Sequence, residues 1–422
     1  MLGEDGIAVE VRAWALAAKR AGRALAVAST ARKNATLLRL AAGLREGVRS
    51  MLVANAADVA EARQSGLSAA MLDRLRLDEA RVEGMARGIE DIARLPDPVG
   101  SIEALERRPN GLLVGRMMVP LGLIGIVYES RPNVTAEAAA LCIKSGNAVM
   151  LRGGSEALRT NHEIAAIVGA ALAAEGFEPA AVLLLPTSDR EAMRAMMRLS
   201  GVLDVLIPRG GDGLIRYVSE HATVPVIMHA KGVCHVYVDA DADLDMAERI
   251  VLNAKTQRPG VCNAMETLLV DAAVAPAFLP KVGEALRAHG VSLRADDDAR
   301  AHLPQSEPAT DADWDAEYLD LVLAVAVVDG LDAAMAHVGR HGSGHTEVIV
   351  TQSYARAQRW VREVDASLVA VNASTRFNDG SELGLGAEMG ISTTKLHAYG
   401  PMGLAELCAR KWVAYGDGQI RG

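Results

Sequence analysis

The segment LIGIVYESRPNVTAEAAALCIKSGNAVMLR, residues 123–152, places two short apolar runs on either side of one helical stretch. The runs LIGIVY (123–128) and AVMLR (148–152) are apolar on both faces, which is typical of parallel strands covered by helices on both sides. Further runs of this kind lie at 182–185, 203–208 and 224–228. Their starts are roughly 20 to 35 residues apart, the step of a strand–helix–strand unit. The alternation predicts a doubly wound α/β domain.

The flanking regions extend this pattern. Downstream, the sequence predicts a second doubly wound α/β domain. Its elements are a helix at 243–256 and apolar runs at 234–238, 266–270, 319–328 and 347–351. Upstream, residues 9–95 are rich in Ala and carry apolar residues at three- and four-residue steps, which predicts three or four amphipathic helices. Residues 101–119 predict a protruding β-hairpin around an Asn110-Gly111 turn.

Composition excludes several classes of function. The 422 residues leave room for two or three domains of ~150 residues. There are 53 acids against 44 bases, and no cluster of Lys and Arg, so we expect no nucleic-acid partner. No apolar stretch reaches the ~20 residues of a membrane span, and the N-terminus lacks the pattern of an export signal. Four scattered cysteines without a CxxC pair fit a reducing cytoplasm.

Two glycine-bearing turns follow predicted strands and are candidates for phosphate contact. The dinucleotide fingerprint GxGxxG is absent from the chain, whereas RGGSE (152–156) and PRGGDG (208–213) each join a strand to a helix. Such turns bring backbone N–H groups at a helix N-terminus close to a phosphate. Ordinary strand-to-helix connections also use glycine, so neither turn is specific by itself.

The surroundings of the four cysteines separate one from the other three. Cys142 and Cys408 lie in apolar or amphipathic stretches and Cys234 opens a strand, so we expect each to have a packing role. Cys262 lies in the Pro/Gly loop QRPGVCN (257–263) with two basic residues nearby. Only a thiolate attacks, and nearby positive charge favours it, so Cys262 is the candidate nucleophile. On these residues alone a structural role for this thiol stays open.

Two patterns imitate metal sites, but we predict no metal. The spacing of His337, His341 and His345 would align them on a helix, yet glycines interrupt the series and no HExxH accompanies it. The acids at 239–243 begin like a calcium loop but lack its later glycine and glutamate, and capping of the following helix is the simpler interpretation.

The order of these parts resembles the aldehyde dehydrogenase superfamily over nearly the whole chain. The segments that carry the resemblance are 119–135, 141–161, 206–215, 234–239, 253–270 and 371–404. Among them, NAKTQRPGVCNAMETLLV (253–270) and residues 371–404 are similar to one branch of the superfamily, which reduces an acyl phosphate in proline biosynthesis. The resemblance implies the superfamily fold of two doubly wound α/β domains with a β-hairpin oligomerisation flap.

The resemblance also implies the chemistry. Cys262 corresponds to the nucleophile and Asn133 to the amide that holds the oxyanion with the Cys262 N–H. The expected reaction is NADPH-dependent reduction of L-glutamyl 5-phosphate to L-glutamate 5-semialdehyde and phosphate through a thioester. The glutamate with which hydrolytic relatives activate water is absent from MHAKGVC (228–234), as expected for a reductase. The alternatives are another semialdehyde or acyl-phosphate dehydrogenase and a non-catalytic protein of the same fold.

The implied cofactor is NADP(H). The residues implied to contact it are Arg152, Gly153, Ser155, Gly210, Gly211 and Glu317. Arg152, with a second cation or with Ser155 and Arg159, is expected to meet the 2′-phosphate. For the substrate, we expect Arg258 near the leaving phosphate and Arg376 near the α-carboxylate, with a structural ion pair as the alternative for each.

The resemblance further divides the chain. Residues 1–100 and 119–233, with 372–398 returning, are assigned to cofactor binding, and 234–371 to catalysis. Residues 101–118 and 399–422 are assigned to an oligomerisation flap, so we expect a homodimer or homotetramer. A transient contact with glutamate 5-kinase is a further possible partnership.

Overall fold

The computed structural model describes residues 4–228 and 231–421, which group into two compact units. The first unit contains the described chain up to Met228, together with 385–390 and the residues from 402 onward. The second contains the described residues up to Gly384 and the segment 391–401. Residues 385–390 therefore group with the first unit, whereas 372–384 and 391–398 group with the second. The functions assigned to these regions, which are cofactor binding, catalysis and oligomerisation, stay predictions.

The N-terminal part of the first unit is helical, with one helix more than the sequence predicted. Residues 4–94 form α1 (Glu4–Ala26), α2 (Thr30–Glu46), α3 (Val48–Gln64), α4 (Ala69–Leu75) and α5 (Glu79–Arg94). Gly47 separates α2 from α3, and Ser68 caps the short α4 by accepting a hydrogen bond from the Met71 N–H. Neither break contains a proline, so the Ala-rich sequence gives no clear sign of where one helix ends and the next begins.

The parallel sheet predicted around residues 123–152 forms the centre of this unit. Its strands are β3 (Leu123–Tyr128), β4 (Ala148–Arg152), β5 (Val182–Leu184) and β6 (Val205–Arg209). The helices around it include α6 (Pro132–Lys144), α7 (Leu158–Ala174), α8 (Arg190–Met197) and α9 (Asp212–His221). The strand order is β5-β4-β3-β6, with all pairs parallel. The chain therefore changes direction across the sheet between β3 and β6, where ligands of open α/β sheets bind.

The fifth strand predicted at 224–228 is wrong. Only Val226 forms an isolated parallel bridge, with Leu206. Pro225 has no N–H to donate, so the segment cannot continue a ladder on that side.

The predicted hairpin belongs to a small antiparallel sheet. It consists of β1 (Ile102–Arg107), β2 (Leu113–Pro120) and β16 (Cys408–Tyr415). Strand β1 is exposed along its whole length, and Trp412 of β16 is 65% exposed.

The second unit contains the second predicted parallel sheet. Seven strands of this unit pair in the order β10-β9-β11-β8-β7-β12-β13, all parallel. They are β7 (Cys234–Val238), β8 (Met265–Asp271), β9 (Ser292–Ala295), β10 (Glu307–Pro308), β11 (Val322–Val328), β12 (Thr346–Val350) and β13 (Leu368–Val371). A two-stranded pair follows, β14 (Ile391–Ser392) with β15 (Gly400–Pro401).

Helices cover this second sheet. They are α10 (Leu244–Thr256), α11 (Ala275–Ala288), α12 (Asp297–Arg300), α13 (Asp311–Trp314), α14 (Gly330–His341) and α15 (Tyr354–Glu363). Asp243 caps α10 by accepting a hydrogen bond from the Met246 N–H, as predicted. The strand predicted from residue 319 begins instead at Val322, and Leu319 adopts a left-handed conformation (φ 53°) outside the extended region. No helix of the described residues is long and apolar enough to cross a membrane.

Candidate active site

Cys262 lies in the loop between α10 and β8, at the amino end of a central strand of the second sheet. It is half-buried, whereas the other three cysteines are buried. The backbone of Gly232 passes directly beside it: a Cβ at position 232 would lie 2.7 Å from the Cys262 Cα and closer still to its carbonyl oxygen. The Cys234 thiol donates a hydrogen bond to the same carbonyl over 3.1 Å. These contacts hold the Cys262 backbone and leave its thiol partly accessible.

The three other thiols have the packing roles predicted for them. Burial raises the pKa of Cys142 and that of Cys234 well above the ordinary thiol value. Burial also raises the pKa of Cys408 to about 12. Since the thiolate is the reactive form, none of these three is suited to attack a carbonyl near neutral pH.

Of the two arginines proposed for substrate recognition, Arg376 lies near both Arg258 and Cys262. Burial, followed by repulsion from Arg258, lowers the pKa of Arg376, while the negative charge of Asp379 and then those of Cys262 and Cys234 oppose this shift. The Arg376 Nε donates a hydrogen bond to the Gln257 side chain over 2.8 Å. Arg258 is exposed and makes no hydrogen bond or ion pair within the described residues. A structural ion pair, the alternative interpretation, is therefore not formed by Arg258, and two cations are available to anionic groups near the thiol.

Asn263 connects the nucleophile loop to the turn that carries Arg376. Its Nδ2 donates hydrogen bonds to the carbonyl oxygens of Asn378 over 2.9 Å and of Arg376 over 3.4 Å. The turn is a short 3₁₀ segment, Thr375–Phe377, with Ser374 as its cap. Both segments specific to the branch thus meet at one place in the second unit.

Glu317 also lies beside the nucleophile loop. One of its carboxylate oxygens accepts a hydrogen bond from the Gly232 N–H over 2.9 Å. This contact involves the same glycine that packs against Cys262. The contact with the cofactor that the resemblance implies for Glu317 stays a prediction.

In the first unit, the candidate phosphate turns lie at the carboxyl edge of the parallel sheet. Residues 210–211 follow β6 and lie next to the end of β3, at the point where the strand order reverses. The Gly211 N–H donates a hydrogen bond to Glu129 Oε2 over 3.1 Å. At the other turn, Glu156 folds back and accepts hydrogen bonds from Ser130, through its backbone N–H and its hydroxyl. Carboxylates of the unit itself therefore lie beside both turns.

Arg152, at the end of β4, has the features expected of a phosphate contact. One of its terminal nitrogens donates to the Ser188 carbonyl over 2.7 Å, while its Nε is buried without a partner among the described residues. Burial lowers the pKa of Arg152; the charges of Glu156 and Glu129 oppose this shift, and the charge of Arg190 adds to it. Sequence reasoning missed Arg190, which lies far along the chain; only the adjacency of β4 and β5 brings it close. Arg159, which was expected to help Arg152 meet the 2′-phosphate, instead pairs with Asp58 and Glu61 on α3.

The remaining predicted residues lie at the same edge. Asn133 is in the first turn of α6, directly after β3, and its side chain is exposed. Ser155 is exposed at the start of a 3₁₀ turn, whereas Gly153 is buried against Tyr128. The elements that follow β3 and β4 therefore present Asn133, Arg152 and Ser155 at one edge of the sheet.

Comparisons with known proteins agree with this arrangement. The model of the aldehyde dehydrogenase family matches residues 7–302. A gamma-glutamyl phosphate reductase of Geobacter metallireducens is 54% identical over 415 residues, 98% of this chain and 99% of the relative. One of Carboxydothermus hydrogenoformans is 55% identical over 413 residues, 98% of this chain and 100% of the relative. The crystal structure of gamma-glutamyl phosphate reductase from Thermotoga maritima matches with a TM-score of 0.96 and 44% identity, covering 98% of this chain and 100% of that one.

The family match covers the first unit from residue 7 to Met228 and the Cys262 loop, and the relatives extend the match to nearly the whole chain. The predicted fold is confirmed. The chain belongs to the aldehyde dehydrogenase family, in the branch formed by the gamma-glutamyl phosphate reductases.

Proposed function

We propose that this protein reduces L-glutamyl 5-phosphate to L-glutamate 5-semialdehyde and phosphate with NADPH, a step in proline biosynthesis. The observation that carries the proposal is the half-buried Cys262 thiol beside two arginines, Arg258 and Arg376. The substrate carries a phosphate and an α-carboxylate, and two guanidinium groups suit these two anions. The identity to named reductases over 98% of the chain supports the same substrate.

The Cys262 thiolate attacks the γ-carbonyl carbon, and the electron pair of the carbonyl moves onto its oxygen. Collapse of this intermediate expels inorganic phosphate, which Arg258 stabilises, and leaves a thioester on Cys262. Hydride addition and departure of the thiolate then give the aldehyde and restore Cys262. Division into two steps replaces one high barrier with two lower ones.

Both tetrahedral species need hydrogen-bond donors for the oxyanion. The Asn133 amide and the Cys262 N–H are proposed for this role, and the Asn133 side chain is exposed at the start of α6. Removing one such donor costs about 3 to 4 kcal/mol of transition-state stabilisation in comparable sites.

The first unit has residues that fit the phosphorylated ribose of NADP(H). Arg152 offers an unpartnered buried Nε, and Arg190 adds a second cation beside it. Ser155 is exposed nearby and supplies a hydroxyl, whereas Glu129 lies on the Gly210–Gly211 turn and has to move if a pyrophosphate binds there. The cofactor supplies the hydride when it is bound.

The assembly proposed for this chain uses the small antiparallel sheet. Its strand β1 is exposed on both faces, and Trp412 and Tyr415 of β16 are exposed as well. Such a sheet is suited to pairing with a second copy, which supports a homodimer or a homotetramer. We also propose a transient contact with glutamate 5-kinase and a cytoplasmic location.

The reaction is tested in the reverse direction with glutamate 5-semialdehyde. We expect NADP⁺ reduction that requires phosphate and is lost in Cys262→Ala, while the variant remains folded by circular dichroism. Turnover of other semialdehydes at equal or higher kcat/KM would favour the alternative dehydrogenase. Cofactor binding without any turnover in the unaltered protein would favour a non-catalytic role.

A further inference from the structure

A buried ion pair joins the two ends of the loop that carries Cys262. The Nζ of Lys255 lies 2.6 Å from Glu266 Oε2, and both side chains are completely buried. Lys255 is in the last turn of α10 and Glu266 is the second residue of β8, eleven positions later. The pair therefore fixes the start of the Cys262 loop to its end.

The same carboxylate extends this connection to a second loop. The other oxygen of Glu266 accepts a hydrogen bond from the Leu319 N–H over 3.2 Å. Leu319 adopts a left-handed conformation that costs energy in a residue other than glycine, and a hydrogen bond to a charged group helps to offset this cost. The Lys255 Nζ also lies 5.8 Å from the centre of the Tyr318 ring. The pair thus holds residues 318–319 as well.

This second loop returns to the nucleophile. Glu317 accepts the hydrogen bond from the Gly232 N–H over 2.9 Å, and Gly232 packs directly against the Cys262 backbone. A closed circuit of contacts therefore runs from Lys255 and Glu266 through residues 317–319 and Gly232 back to Cys262.

Stability alone does not account for two charges at this place. Burying an ion pair is costly, and apolar residues of similar volume often give equal or higher stability. A charged pair instead imposes direction, because Glu266 must face both Lys255 and the Leu319 N–H.

We propose that Lys255 and Glu266 are positioning residues of the reduction, which hold the Cys262 backbone and Glu317 in the arrangement that turnover requires. This inference rests on the proposed function. Neither residue is assigned contact with substrate or cofactor.

The pair also predicts an effect of pH. Burial raises the pKa of Glu266 to about 7, and attraction to Lys255 opposes this shift. The other groups that face the pair are Glu317, Tyr318, Asp320 and Cys234. As pH falls through about 7, Glu266 takes up a proton and the attraction to Lys255 is lost, so positioning weakens on the acid side.

The test compares Lys255→Met and Glu266→Gln with the unaltered protein. The first measurement is the rate at which iodoacetamide alkylates Cys262, which peptide mass spectrometry monitors. The second is the dependence of kcat and KM on pH. We expect kcat to fall by about 100-fold in Lys255→Met, with KM for the semialdehyde little changed, because small displacements at a reacting centre have large effects on rate. We expect alkylation to slow by about tenfold. Glu266→Gln, which resembles the protonated carboxyl, should have a low kcat at every pH, so that the further fall expected near pH ~7 is absent from its profile.

A matched control is Lys33→Met, which breaks the buried pair of Lys33 with Asp97 in the first unit, 2.7 Å apart. It should lower thermal stability and leave the alkylation rate and the pH profile unchanged. If Lys255→Met does not fold, Lys255→Met with Glu266→Leu removes both charges; it should fold but alkylate as slowly as expected for the single variant.

Wild-type alkylation rates and pH profiles in the folded variants would overturn the inference and make the pair structural only. If the unaltered protein did not turn over glutamate 5-semialdehyde, the proposed function would fail instead, and the alkylation rates would still decide the role of the pair.

Discussion

The loop of Cys262 and the glycine turns of the first sheet differ in what occupies the space beside their backbones. Beside Cys262 lies the backbone of Gly232, which cannot move without moving the strand that follows it. Beside Gly210 lies the carboxylate end of Glu129, a flexible side chain. Cys262 is thus held by fixed parts of the fold, whereas the Gly210–Gly211 turn is covered by a side chain that can rotate away. Loop glycines in this chain therefore lie either beside a fixed backbone, as Gly232 does, or beside a movable side chain, as Gly210 does.

The largest expected effect concerns Asn133, the residue of the first unit that is proposed to stabilise the oxyanion. Asn133→Ala should lower kcat by about 100- to 1000-fold, because it removes one oxyanion donor. KM for NADPH should stay within about twofold, since transition-state interactions appear in kcat and not in ground-state binding. Steady-state kinetics with both substrates make the measurement. An unchanged kcat would remove Asn133 from the proposed site.

A pair of substitutions tests the comparison directly. Gly232→Ala places a Cβ against the carbonyl of Cys262 and should lower kcat by about 100-fold, because the nucleophile is displaced. Gly210→Ala meets only side-chain atoms of Glu129 and Leu214, which can adopt other rotamers at a cost of about 1 kcal/mol, so its effect should stay within about tenfold. Equal losses in the two variants would contradict the difference drawn between the regions.

Arg190→Ala tests whether the carboxyl edge of the first sheet binds the 2′-phosphate of NADPH. It should weaken NADPH binding by about tenfold and leave NADH binding unchanged, because only NADPH carries the 2′-phosphate that the second cation would meet. Fluorescence titration with each nucleotide measures this without turnover. Arg198→Ala, an exposed arginine just beyond the same helix, is the control and should change neither affinity. Equal weakening for both nucleotides would place Arg190 away from the 2′-phosphate.

The smallest expected effect, counted per pH unit, concerns the stability of the second unit. Burial lowers the pKa of His337 to about 3, with further repulsion from His235 and His341. Below pH ~6.5 the unfolded chain takes up a proton that the folded one does not, so the free energy of unfolding should fall by about 1 kcal/mol per pH unit towards pH 3. His337→Phe should flatten this part of the curve in urea titrations. An unaltered slope would show that other groups cause the acid sensitivity.

The predictions made from sequence succeeded where a local pattern carries the information. The strands at 123–128 and 148–152 and the helix at 243–256 follow from periodicity, with Asp243 correctly predicted as a cap. Cys262 was separated from the other thiols by its loop, and burial of those thiols agrees.

The failures share one physical cause, because they depend on partners distant in sequence. Residues 224–228 look like a strand, yet their pairing is limited to a bridge. Arg190 approaches Arg152 only through adjacent strands, and Lys255 meets Glu266 only once the intervening loop has folded. The three histidines at metal-motif spacing are not among the failures: His337 and His341 lie on α14, which ends at His341, and His345 lies beyond it, as the glycines predicted. The pairing of His341 with Asp315, however, also depends on a distant partner. No local pattern encodes these pairings.

The most direct test of the account is to trap the covalent intermediate. The protein is mixed with L-glutamyl 5-phosphate in the absence of NADPH, and its cysteine peptides are analysed by mass spectrometry. The account predicts one glutamyl group on Cys262, no such group on Cys142, Cys234 or Cys408, and complete loss of the adduct in Cys262→Ala. A glutamyl group on a different cysteine, or turnover that persists in Cys262→Ala, would contradict it.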